Sequence, residues 1–560
     1  MIKKRFFLLS LAASSLLAAA TPVAPTTGDI LRQTEPPKLP EQEKALPAIT
    51  PQEYKAPLAE SDAVTVAVKG FGFSGNTAFD DATLAALVRE YEGKELGING
   101  LKGVASVVTK YYRDRGYFVA RAYIPKQTMA QGVVEIAVVE GAYGTFEMKN
   151  SSLVATEELQ SFMDHLKQGQ VVSTMSLERQ MLLINDLSGA VVTNAEIYPG
   201  EAVGSSDFRI TVAPTPRYSA YAVVDNYGIR YTGDYRLSVG GSVNSPTGVG
   251  DNFSIGGLIS NTADLKNARM GYKRPLGYSG LEGGVSGSLT KYELSKELTT
   301  LYAHGQTDSF NAYLSYPFVR TRAHTFKTDL DLDYRNMKES MLGSEAHKRL
   351  TALTLRATEQ RNTSWLGRPG IFDASLGVTA GDLSLRNAAA RTNDLLLDSE
   401  GNFAKLTFDA YQQQSLFRNT SLKSYLRAQK SIAKNLDSSE DISVGGSNGV
   451  RSYEESELSG DQGYVLSVDL VYALPAIGRY RHDASLFVDH ATVWTNSKTF
   501  NLDDNRRTIN AVGLGYGAHY GHFDLKATLA HGFGSERAAV AEAGVTTNSN
   551  KLLVQAIARF

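Results

Sequence analysis

Gly70, Gly72 and Gly75 fit G-x-G-x-x-G, a spacing that lets backbone N–H groups approach a dinucleotide when it lies between a strand and a helix. The surrounding unit is too small for a nucleotide-binding fold, and a tight turn accounts for the glycines. His519 and His522 flank a hairpin turn; two imidazoles without further ligands fall short of a zinc site, so an interfacial place is expected for them. The chain has no Cys, which removes thiolate metal sites and disulfide frameworks. It also has no nucleophile elbow, metalloprotease helix or phosphate loop. These absences point away from an enzyme and call for no cofactor and no metal. A net charge of -2 gives no general attraction for nucleic acid.

The elements around these residues are of three kinds. Lys3, Lys4 and Arg5 precede an apolar run from Phe6 to Leu17 and then Ala18 to Ala20, the order of a secretory signal peptide, so residues 1–20 are expected to be cleaved. The run is short of the roughly 20 apolar residues an anchor needs. Residues 21–62 read as an extended linker, because eight of the 17 Pro lie between Pro22 and Pro57. Within it Thr27, Gly28 and Asp29 can cap a small mobile helix through Ile30, Leu31, Arg32 and Gln33, stopped by Pro36 and Pro37.

Residues 63–142 form a compact α+β unit in the order strand, helix, helix, strand, strand. Val64, Val66 and Val68 alternate; Asp80 starts a helix with Leu84, Leu87, Val88 and Tyr91 on one face; a second helix carries Leu101, Val104, Val108 and Tyr111 and ends at Gly116. Phe118 to Ile124 and Val133 to Val139 are the closing strands. Residues 143–216 repeat the order, with a helix capped by Thr156 and bearing Leu159, Phe162, Met163 and Leu166, and another marked by Leu177, Met181 and Ile184. Two copies of one small fold in series suggest a binding array, whose partner would add along a sheet edge or beside a helix.

From 217 to 560 helical periodicity disappears, and short alternating segments recur between Gly, Asn, Asp and Ser turns. Tyr464, Leu466, Val468, Leu470 and Tyr472 share one face against Ser467 and Asp469, an apolar lipid face with aromatics at both ends. Leu486 and Val488 share that outward parity, which turns Phe487 and Asp489 inward. The last segment puts Leu552, Val554, Ala556, Ala558 and Phe560 on one side. The expected fold class is mainly β: a transmembrane barrel of about 16 antiparallel strands, with 14 or 18 also fitting the length, after two α+β domains and a short helix.

Three passages resemble the TpsB transporters of two-partner secretion, the haemolysin activation/secretion proteins. Arg115-Gly116-Tyr117, Tyr123-Ile124-Pro125, Gln127, Gly132 and Glu140-Gly141 are similar to the first polypeptide-transport-associated (POTRA) domain of that family. Asp225-Asn226-Tyr227-Gly228 through Gly250-Asp251 resembles its barrel start. Gly445-Gly446 through Val450-Arg451-Ser452-Tyr453 to Gly460-Asp461 resembles the long loop whose tip folds back into the lumen. Two positions depart: Ser452 replaces the usual tip glycine, and Ala491 replaces the last glycine of a Phe-x-Asp-x-Gly wall motif that otherwise matches Phe487 and Asp489.

The resemblance implies a pore in the outer membrane of a Gram-negative bacterium, with POTRA domains in the periplasm that capture an unfolded, large secreted partner exoprotein. Arg115, Gly116, Tyr117, Glu140 and Gly141 would belong to the docking region, Ile30 to Gln33 to a plug helix, and Phe560 to the end read during barrel assembly. Further partners would be outer-membrane lipid, the barrel-assembly machinery and periplasmic chaperones, with no nucleic acid. A guanidinium in a barrel interior needs a carboxylate or water, and Asp489 is the expected partner of Arg451. The alternative for Arg451 is a solvated outer loop. For the whole chain the alternatives are a factor that inserts other barrels, against which a count of two repeats argues, and a passive porin, which needs no such repeats.

Overall fold

The computed structural model describes residues 25–37, 47, 65–128, 132–432, 434–455, 458–499, 505–534 and 550–560. The expected signal peptide and most of the linker lie outside the described residues.

Sixteen antiparallel strands close into one barrel, from Tyr218–Asp225 through Arg236–Asn244 to Asn550–Arg559, which pairs back onto the first strand. Closure gives both end strands a partner, so the wall has no open sheet edge, the condition for a sheet in hydrocarbon. Period-2 alternation supplies the two faces: Leu486 and Val488 are exposed on the outer face, while Phe487 and Asp489 are buried within. The strands following residue 300 reach 22 residues (Ser344–Trp365), longer than a bilayer crossing needs.

The first α+β unit contains β1 (Thr65–Ala67), β2 (Gly70–Ser74), α2 (Asp81–Val88), β3 (Glu95–Gly97), α3 (Ile98–Asp114), β4 (Arg121–Tyr123) and β5 (Val133–Val139). The valine run expected to open the sheet instead pairs with β3 in a separate two-stranded ribbon. The strand that runs parallel to β5 is β2, which holds Gly70 and Gly72. Those two glycines are therefore strand residues, and only Gly75 takes the left-handed backbone of a turn, with φ +77. The second unit has β6 (Ala142–Asn150), α4 (Thr156–Met163), α5 (Thr174–Asp186), β7 (Val191–Pro199) and β8 (Ser205–Ala213). Its sheet order β6-β8-β7, with β6 and β8 parallel, repeats β2-β5-β4. Thr156 is the first helical residue of α4, and Ala155 takes the cap position without a side-chain bond.

Apolar helix faces cover each small sheet: Leu84, Val88, Val104, Val108 and Tyr112 in the first unit, Leu159, Phe162, Met163, Leu177 and Met181 in the second. The second unit is seated on the barrel. Leu183 of α5 packs at Gly280, Asp186 pairs with Arg320 at 2.7 Å, and Glu178 pairs with Arg322 at 2.7 Å. These contacts mark the turns 276–281 and 321–323 as the periplasmic end, so the connections at the other strand ends face outside.

Candidate functional site

Inside the barrel stands α1 (Thr27–Gln33). It is capped one residue earlier than expected: Thr26 Oγ1 accepts the Asp29 N–H at 3.2 Å, and Asp29 Oδ2 accepts the Thr26 N–H at 2.9 Å. This reciprocal box puts Thr27 and Gly28 in the first turn. Ile30 is fully buried among Ile229, Leu258, Leu265 and Tyr292 of the barrel. Thr27 Oγ1 meets the Tyr292 hydroxyl at 2.7 Å, and Arg236 Nη1 donates to the Gln33 carbonyl at 2.9 Å. The helix read as mobile is thus packed and hydrogen-bonded, because its lumen partners lie hundreds of residues away in the chain. Leu31 and Arg32 face a cavity of about 1040 Å³ that also reaches Tyr218, Arg269, His522 and Phe560.

The second component is the connection between the strands Thr420–Ile432 and Gln462–Ala473, which folds inward around a short hairpin, Ile442–Ser443 with Ser459–Gly460. Its tip lies on the inner wall. Val450 and Tyr453 are buried with Val465, Ala491 and Ile509. Arg451 donates from Nε to Asp489 Oδ2 at 2.9 Å and from Nη2 to Oδ1 at 2.6 Å, and its backbone N–H reaches Oδ2 at 3.1 Å. The guanidinium lies 3.5 Å from the centre of the Phe487 ring, a cation–π contact. Asp489 has no exposed surface, so this fork is its charge compensation. Ser452 takes no positive φ, so the tip backbone does not require glycine, although the buried Ser452 Oγ has no hydrogen-bond partner, and the Ala491 methyl fills space in the tip's apolar cluster.

The chain's relatives match this arrangement. The family described as haemolysin secretion/activation protein ShlB/FhaC/HecB matches residues 204–520, and the ShlB-type POTRA domain matches 66–141. The chain belongs to the haemolysin secretion/activation family. The heme/hemopexin transporter protein HuxB of Haemophilus influenzae is 28% identical over 446 residues, 77% of each chain. The outer membrane transporter CdiB of Escherichia coli is 26% identical over 74% of this chain and 70% of its own. The solved structure of CdiB from Escherichia coli superposes with a TM-score of 0.74 at 21% identity, covering 92% of this chain and 94% of that one. The protein is an outer-membrane transporter of two-partner secretion, and the family assignment decides against barrel insertion.

Several residues of this transporter were not singled out by sequence. Asp469, on the inward face of its strand, stands 2.9 Å from Arg451 Nη2 as a second carboxylate. In the loop, Glu440 bridges Arg335 at 2.7 Å and Lys405 at 2.8 Å, Asp437 pairs with Lys348 at 3.0 Å, and the Asp441 carbonyl accepts Arg32 Nη1 at 2.9 Å. The last bond joins loop and helix. Three acids within 437–441 were the available signal, but inward cations on strands 35 to 105 residues away could not be matched to them by spacing.

The expected docking residues have mostly internal work. Glu140 is buried and accepts the backbone N–H groups of Thr77 at 2.6 Å and Ala78 at 2.7 Å, the Tyr112 hydroxyl at 2.8 Å, and the Thr77 hydroxyl. Burial raises its pKa, but these donors together outweigh that and hold it below the usual carboxylate value. Gly141 has φ +80, and a Cβ there would run into Val119. The Gly116 carbonyl accepts the Thr174 N–H at 2.8 Å, joining the two repeats. Tyr117 packs edge-on against Phe79 and Tyr112. Arg115 is exposed, its guanidinium 3.5 Å from the centre of the Tyr111 ring. The Glu140 carboxylate thus serves the frame of the first repeat, while Gly141 stays half-buried at its turn.

Proposed function

We propose that the transporter rests closed, with α1 as the plug, the Arg451 fork as the latch that gives the conduit its shape, and the two repeats as the receptor for an unfolded exoprotein. The observation that carries this reading is the position of α1, held in the lumen by Arg236 and joined to the inward loop through Arg32. Substrate segments add along the edge strand β7 of the second repeat, which has β8 as its one strand partner among the described residues. The cargo is a single large secreted protein, a reading supported by the family's description as haemolysin secretion/activation proteins. During biogenesis, periplasmic chaperones and the barrel-assembly machinery take the chain, with the exposed Phe560 as the end they read.

Removing residues 21–60 raises ion conductance in planar bilayers; unchanged conductance would refute the plug. Removing 63–213 leaves a folded barrel that no longer secretes, and normal secretion by that deletion defeats the receptor role.

A further inference from the structure

On the outer wall, at the end opposite the periplasmic domains, one register level crosses six consecutive strands. Lys266 pairs with Lys291, Lys291 with Gln306, Gln306 with Lys338, and Lys338 with His347; the Arg386 N–H then bonds the His347 carbonyl at 2.8 Å. All six share the outward parity, since the neighbours Leu265, Asn267, Thr290, Tyr292, Thr307, Met337, Ala346 and Leu385 are buried on the other side. Lys266, Lys291, Lys338 and Arg386 are exposed. Toward the bilayer the level gives way to the lipid face, through Leu289 to Met270 on the first strands and through Tyr334 to Leu332 further round.

The row holds cations and no acid. Of the outward carboxylates one level away, Asp308 accepts Gln306 Nε2 at 3.0 Å and Glu345 lies 2.8 Å from His347 Nε2, both within the row, while Asp264 and Glu293 stand next to each other one level further from the bilayer than Lys266 and Lys291. Among the described residues, Lys266, Lys291, Lys338 and Arg386 form no ion pair. Like charges directly opposite in a sheet destabilise it, and Lys266 opposite Lys291 is such a pair. Arg349, one level below, has a buried Nε with no hydrogen-bond partner. On the far side of the barrel the corresponding outward positions include Tyr464, His490 and Asn510, which bond to one another.

We propose that this row binds the phosphorylated sugar headgroup of the outer-leaflet glycolipid. The charge is complementary, the position is the headgroup layer just beyond the apolar belt, and the bound phosphates offset the lysine repulsion. The row climbs across tilted strands, so its cations meet a headgroup deeper than a phosphodiester: inner phosphates near Lys266 and Lys291, outer ones near His347 and Arg386.

The test uses the full transporter in nonionic detergent with bis-phosphorylated lipid A as the probe, compared with dephosphorylated lipid A and phosphatidylglycerol. A lysine beside an anionic headgroup layer is worth about fivefold in binding, so Lys266→Gln with Lys291→Gln weakens the bis-phosphorylated lipid about twentyfold. Lys430→Gln, an outward lysine on the strand Thr420–Ile432, leaves binding unchanged. Lys291→Gln alone keeps or raises the lipid-free melting temperature, because it removes repulsion. Equal affinity for dephosphorylated lipid A, an unaffected double variant, or a matching loss in Lys430→Gln overturns the proposal. So does phosphatidylglycerol binding as tightly as lipid A, or a lower lipid-free melting temperature in Lys291→Gln.

Discussion

Removing either member of the Arg451 fork should have unequal effects, and the geometry sets the order. Arg451→Ala leaves Asp489, with no exposed surface, one donor, the backbone N–H of residue 451 at 3.1 Å. Breaking a buried pair from one side costs about 3 to 5 kcal/mol. The lumen is partly wet, so about 3 kcal/mol of loop anchoring is expected from that range. Asp489→Ala leaves the guanidinium its contact with Asp469 at 2.9 Å and the Phe487 ring at 3.5 Å. Two surviving partners reduce the loss to about 2 kcal/mol, roughly a thirtyfold change in loop opening. The double variant should lose about 3 kcal/mol, since the charge it leaves without Arg451 is the part-exposed Asp469 and not the fully buried Asp489, giving a coupling near 2 kcal/mol. Amide exchange across residues 442–455 measures the opening, and secretion at matched outer-membrane levels measures the consequence. Strictly additive losses would mean that the residues act separately. A larger loss from Asp489→Ala than from Arg451→Ala would remove Asp469 from the account.

Gly28→Val should expel α1 without deleting it, because a Cβ at 28 runs into the Ser438 carbonyl oxygen, and planar-bilayer conductance should rise toward that of the 21–60 deletion. Glu140→Gln should destabilise the first repeat by about 2 kcal/mol, since a carboxylate with several donors becomes an amide, read as faster exchange over 65–141. Because the folded pKa of Glu140 is lowered, its contribution is full above the unfolded value of about 4.3 and is lost as pH falls through the folded value; the variant should show a flatter acid response. Asp186→Ala with Glu178→Ala should loosen the second repeat from the barrel by about 1 kcal/mol in total, as part-exposed ion pairs are weak. Spin-label distances between that repeat and the periplasmic turns should broaden, and about 0.5 M salt should reproduce most of the change in the wild type.

Local pattern alone settled the parts of this transporter that depend on period and composition. Alternation along Tyr464 to Tyr472 and Leu486 to Asp489 gave both the barrel and the inward direction of Asp489, because a strand's two faces are set by parity. Helical spacing located the two repeats, since an apolar stripe is a property of neighbours three and four apart. The glycine-rich strand β2 escaped that reading, as Gly70 and Gly72 earn their place through pairing with β5 rather than through their own propensity. Glu140 was seen, but its burial was not legible, because a carboxylate in a strand-to-turn segment looks the same whether it faces solvent or four internal donors. What only the tertiary structure decided are the contacts between distant segments: Arg32 on Asp441, Glu440 between Arg335 and Lys405, Asp469 beside Arg451, and the lysine row across the outer wall. Those depend on strand register and barrel closure, which fix who stands opposite whom, and register is set by the summed pairing of a whole sheet rather than by any one segment.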